Sequence, residues 1–242
     1  MFQKIKRTGF QVLTLYHAEA ILKHDLGTAA RELEAALETI KIPVEEIVRG
    51  GGGEGKSTQR LRKALTDEHD WKKHRFEIQK IVDGAPREAT SHEIDHVKVF
   101  SSYTVALEIE WNNKDPFFDR DLENFKRLHA DGAISLGVII TRGASLQEGL
   151  RDLITNFAVK KGINNLAKVA EFYTPTPRQK KIIEQAARSK GSFEEGWAHA
   201  FVADKFGEAT THWRKLEDRV RRGVGNPCPL LLVGIPLSAI EA

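Results

Sequence analysis

Apolar residues in the first third of the chain recur at helical spacing. Ala29, Leu33, Leu37 and Ile40 in "TAARELEAALETIKI" line one face of a helix, with Thr28 as candidate N-cap. After a glycine run, "STQRLRKALTDEHDW" predicts a second helix that puts Leu61 and Leu65 on one side. From about residue 74 the period drops to two: "RFEIQKIV", "HEIDHVKVF" and "TVALEIEW" alternate polar with apolar, as half-buried strands do. "DRDLENFKRLHADG" returns to a helical stripe through Leu122, Phe125 and Leu128 and stops at Gly132. "AISLGVIITRG" is a nearly unbroken apolar run, the pattern of a strand covered on both faces. Strand, helix and buried strand form a βαβ unit, which crosses over right-handed.

Three more helices and a strand follow. "SLQEGLRDLITNF" opens with Ser145 and Glu148 at capping-box spacing. "TPRQKKIIEQAARSKG" has Thr176 as N-cap, Pro177 at the first helical position and Gly191 past the end. "THWRKLEDRVRRG" predicts a helix and "PLLLVGIP" a final strand. The expected fold class is α/β, a central mixed sheet flanked by helices, with helical additions at both ends. No linker divides the 242 residues, so they read as one domain. It has a helical part at 1–48, a core at 49–145, and a helical part with the last core strand at 146–242.

Composition narrows this little. Lys+Arg 37 against Asp+Glu 34 leaves a net charge of +3, too small to announce a nucleic-acid partner by itself. The single cysteine, Cys228, excludes an intramolecular disulfide and suits a reducing compartment. No apolar run reaches membrane-spanning length, and "MFQKIKRTGF" lacks the apolar stretch of a signal peptide. The expectation is a soluble, cytoplasmic protein with no membrane partner.

"GGGGEGKS", Gly50 to Ser57, satisfies the phosphate-loop pattern. That motif works where a buried strand enters the loop and a helix N-terminus leaves it. The segment before it, "IPVEEIVRG", carries Glu45 and Glu46 in its middle, which argues against a buried strand. A P-loop nucleotide hydrolase is therefore the alternative reading.

The second hairpin concentrates acids. If its strands meet in a two-residue turn at Ser101-Ser102, Val99 stands opposite Thr104, Val97 opposite Ala106, and Asp95 opposite Glu108. Asp95, Glu108 and Glu110 then emerge on one face. Close carboxylates repel unless a cation neutralises them, and an oxygen-only set suits Mg²⁺. Such an ion polarises a phosphodiester and activates a water.

Asp95, then Glu108-Ile109-Glu110 thirteen positions on, followed by a helix and a buried strand, resembles the PD-(D/E)xK nuclease core. A glutamate at the third position resembles the BamHI-like variant of it. "EIEWNNKDPFFDRDLENFKRLH" and "TTHWRKLEDRVRRGVGNPCPLLLVGI" look like the BglII-like group of type II restriction endonucleases. The resemblance runs from about residue 49 to 236. It implies a homodimer that cuts double-stranded DNA at a short, palindromic site, with one or two Mg²⁺ ions per active site and a companion DNA methyltransferase. It also implies Asp95 and Glu108 as metal ligands, and Glu110 orienting or deprotonating the attacking water and sharing a second ion. Lys114 is the candidate for the positive charge that lysine usually supplies. A module with a degenerate core that binds DNA without cutting it is a further alternative; the intact acidic set argues against it.

Beside such a core, basic residues become candidate DNA contacts. Lys56 and Arg60 open the helix after the glycine run, with Glu54 nearby. Lys215, Arg219 and Arg222 form one face of the C-terminal helix, flanked by Arg214 and Arg221. Thr210, Thr211 and His212 at its start are candidates for phosphates or base edges.

Overall fold

A computed structural model describes residues 1–49 and 55–241. The chain starts with α1 (Gln3–Arg7), β1 (Gln11–Leu15), α2 (Ala18–His24), α3 (Gly27–Glu38), the short β2 (Ile42–Pro43), α4 (Val44–Val48) and α5 (Lys56–Lys63). A π-helical turn over Ala64–Glu68 prolongs α5. The central segment is β3 (Lys72–Val82), β4 (Ala85–Phe100), β5 (Tyr103–Glu110), α6 (Phe117–Ala130) and β6 (Leu136–Arg142). It ends with α7 (Ala144–Lys161), α8 (Leu166–Val169), α9 (Pro177–Lys190), α10 (Phe193–Lys205), α11 (Trp213–Arg221), β7 (Leu230–Ile235) and β8 (Ile240–Glu241).

Six strands form one mixed sheet in the order β1-β7-β6-β5-β4-β3. β5, β6 and β7 run parallel at its centre, and antiparallel pairs close both sides. Every residue of β6 and β7 is buried, which explains their unbroken apolar sequence. The α/β expectation and the βαβ unit β5–α6–β6 are what the fold contains. α6 packs Phe118, Leu122, Phe125 and Leu128 with Ala106 and Ile139 on one side of the sheet. The N-terminal helices and α7 pack with Val105, Leu107 and Val138 on the other. The approach of α6 is tight: a Cβ on Gly137 would lie 2.5 Å from the Phe125 ring.

Several local expectations need correction. The first third is not all helix, because "QVLTL" is β1, an edge strand of the main sheet. Its partner β7 lies at the far end of the chain, so no local pattern betrays it. Leu26, not Thr28, caps α3; Thr28 is inside the helix, where its hydroxyl accepts from Arg31. Gly143 stands at the start of α7, and the Ser145 hydroxyl accepts from the Leu237 backbone N–H instead of forming a capping box. The Thr176 capping box with Gln179 does form, with Pro177 and Gly191 where the sequence puts them.

The nucleotide-hydrolase reading falls on the fold. Residues 44–48, which should be the strand entering a phosphate loop, are helix α4. Gly50–Glu54 lie outside the described residues. Among those described, no helix is long and apolar enough to cross a membrane.

Candidate active site

The register of the acidic hairpin is the one its sequence implies. Phe100 pairs with Tyr103, Val99 with Thr104, Val97 with Ala106 and His96 with Leu107. One step further along the same register, Asp95 stands across from Glu108. Strand alternation turns Glu108 and Glu110 toward the α6 side, as it does Ala106. Glu108 is 5% and Glu110 3% exposed, whereas Asp95 is exposed at the mouth.

α6 adds a carboxylate that the sequence reading did not single out. Asp121 is 1% exposed, and it faces Glu110 within hydrogen-bonding reach. Two carboxylates make such a contact favourably only around a shared proton or a cation. Among the described residues, no donor reaches Asp121 Oδ2. Burial first, then the charges of Asp121, Asp95 and Glu110, push Glu108 up to about 9. Burial likewise raises Glu110 and Asp121, the charge of Asp121 adding to the effect on Glu110.

Two side chains hold Glu110. Asn113 Nδ2 donates to its Oε2 at 2.7 Å, and Arg120 Nη2 lies 3.5 Å from its Oε1. Arg120 also donates through Nε to Asp121 Oδ1 at 2.8 Å. Lys114 does not reach the cluster: it is exposed and forms an isolated bridge with Thr210. The chain turns away after β5, and the positive charge beside Glu110 and Asp121 comes from Arg120, one element later.

The oxygen-only donor set, its surplus negative charge and the orphaned Asp121 oxygen suit a hard divalent cation. Among the described residues, however, no group of three or more His, Cys, Asp or Glu side chains is already gathered to hold an ion. Charge and donor chemistry fit the metal; a formed cage is not present. Next to the cluster opens a cleft of about 760 Å³, reached by Asp95 and lined also by Arg49, Arg62, Lys73, Asn113 and Lys205.

The candidate DNA contacts divide. Arg219 is 7% exposed, its Nε donating to Asp119 at 2.8 Å and its Nη2 to Asp115 at 3.1 Å. It pins α11 to the start of α6 and cannot also belong to an open basic face. Arg60 is committed to Glu46 by two hydrogen bonds of 2.8 and 2.9 Å. Lys56 is exposed at the first residue of α5. Arg214 and Lys215 lie 3.0 and 3.7 Å from Glu208. Arg222 is exposed, with its Nε on the Asp218 carbonyl.

Thr210, Thr211 and His212 face inward. Thr211 is fully buried; its hydroxyl accepts from the Asn113 N–H at 3.0 Å, and its own N–H donates to the Asn113 carbonyl at 2.8 Å. Arg142, also fully buried, donates to Asn112, to the Thr210 hydroxyl and to the Thr211 carbonyl. Its guanidinium lies 4.7 Å from the Phe206 ring centre, and burial lowers its pKa to about 9. His212 is 1% exposed; burial first, then the Arg142 charge, lowers it to about 4. These residues clamp the turn that carries Asn113, and through it Glu110.

The family model for restriction endonuclease BglII/BglIII matches residues 10–235 of this chain. Among curated proteins, none matches it.

Proposed function

The chain belongs to the restriction endonuclease BglII/BglIII family, and from that premise we propose a Mg²⁺-dependent nuclease of the PD-(D/E)xK group with Asp95, Glu108 and Glu110 at its reacting centre. Membership makes it a type II restriction endonuclease, a site-specific deoxyribonuclease that acts on DNA. The observation that carries the finer reading is the buried patch of Glu108, Glu110 and Asp121 behind the exposed Asp95. Buried like charges are costly unless paired. Asp95 and Glu108 would hold the ion, with Glu110 beside them. When bound, Mg²⁺ supplies charge to the phosphodiester and lowers the pKa of a water.

The chain's own groups do the rest. Asp95, on the cleft, is the acid that an incoming phosphate approaches first. Glu110, fixed through Asn113, orients the attacking water and takes its proton. The water oxygen bonds to phosphorus as one ester P–O bond breaks, and the departing alkoxide takes a proton from solvent water, leaving a phosphate monoester and a hydroxyl while Glu110 returns its proton to solvent. Cutting both strands symmetrically calls for two such centres, hence a homodimer on a palindromic site. A companion methyltransferase would spare the host's own copies of that site, and the cytoplasm is where both meet DNA. The described chain acts as one domain.

Asp95→Asn and Glu108→Ala should abolish cleavage in Mg²⁺ while keeping DNA affinity in Ca²⁺ close to wild type. Full cleavage by either variant would sink the assignment.

A further inference from the structure

Arg120 is placed unlike the other arginines paired inside this protein. Arg142 and Arg219 are themselves buried, 0% and 7% exposed. Arg120 touches acids that are 1% and 3% exposed, yet 52% of its own side chain meets solvent. Its Nε and Nη2 edge grips Asp121 and reaches Glu110. The guanidinium carbon lies over the Phe117 ring, 4.3 Å from its centre, a second contact that holds the group in place. Nη1 has no partner among the described residues. A guanidinium carries five N–H donors in a rigid fork, so one edge remains available beside Glu110.

Hydrolysis of a phosphodiester builds negative charge on the non-bridging oxygens, and a fixed donor aimed at them stabilises the transition state. The fork of an arginine matches a phosphate bidentately. On the nuclease reading above, on which this rests, we propose that Arg120 contacts the phosphate being cut and supplies its transition-state charge. Its hold on Asp121 and Glu110 then also sets the distance between that charge and the base.

The test uses the full chain and a duplex whose cut position has been mapped with the wild-type enzyme. A second duplex carries an uncharged methylphosphonate at that position. Binding of both is measured without metal for wild type and Arg120→Gln, beside single-turnover cutting of the normal duplex in Mg²⁺. The ratio of affinities for the two duplexes should change by at least about fivefold on substitution, as a direct contact implies. Cutting should slow by roughly 10²–10³-fold. An unchanged ratio overturns the role of Arg120, whatever happens to the rate, because a merely structural arginine cannot sense that one charge. Arg120→Lys, whose ratio should fall between the two, decides if the glutamine variant does not fold; a ratio equal to wild type overturns the proposal again. No cutting of any duplex by the wild type overturns the nuclease reading along with it.

Discussion

Glu108 and Glu110 occupy surroundings in which a carboxylate holds its proton far above its ordinary range. Charging them without a metal is a strain on the fold. Glu108→Gln should therefore raise the thermal stability of metal-free protein at pH 8, by on the order of 1 kcal/mol, while destroying cleavage. A melting curve with and without Mg²⁺ checks it, and a destabilised variant would argue against crowding of the acids. Arg219 carries the opposite expectation. Removing it strands Asp115 and Asp119, so Arg219→Ala should cost about 2 kcal/mol in urea unfolding yet leave the salt slope of DNA binding unchanged. A slope reduced by roughly 0.9 would return it to the DNA face. His212 adds a pH effect. Its folded pKa, about 4, lies below the ordinary 6.5, so above pH 6.5 both states are neutral and nothing is gained or lost. As pH falls from 6.5 toward 4, the unfolded chain takes up a proton that the folded one refuses. Stability is lost there, on the order of 1–3 kcal/mol. The loss between pH 7 and 4.5 should be smaller in His212→Leu than in wild type; an equal loss would assign it to other groups.

At the scale of elements, the clamp between the end of β5 and the start of α11 is the connection most worth breaking. Thr211→Val keeps the shape but removes the acceptor for the Asn113 N–H. Looser positioning of Glu110 should lower kcat by roughly tenfold with little change in KM, the signature of an interaction felt in the transition state. A rise in KM alone would mean that Thr211 serves DNA binding. The sequence made the hairpin legible because a two-residue turn and a period of two fix every cross-strand pair between Phe100 and His96. The α6 stripe and the buried β6 and β7 were legible for the same reason: their patterns are local. What stayed hidden is long-range. Arg219 meets partners 100 and 104 residues away, Thr211 one 98 residues away, and a helical period cannot distinguish such an anchor from a solvated cation. Asp121 stood within a recognised helix, but only the packing of α6 on β5 turns it into the acidic patch.

The whole molecule joins its N-terminal part to the core more firmly than its sequence suggests. Glu32 of α3 accepts from Lys98 of β4 at 2.7 Å and from the Trp71 indole at 3.0 Å, and β1 lies at one end of the main sheet. The family match accordingly starts at residue 10, well before the resemblance first visible at about residue 49. The Glu32–Lys98 contact holds β4, the strand that carries Asp95, against α3. On the proposed function, this protein cuts DNA at one sequence through the Asp95–Glu108–Glu110 centre. Purified protein incubated with a plasmid library in Mg²⁺, beside EDTA and Glu108→Ala controls, and sequenced at every new end, tests it directly. The expected result is ends at a single short palindrome, symmetric about its centre and absent from both controls. Ends scattered without sequence preference, or an equal yield from Glu108→Ala, would contradict it.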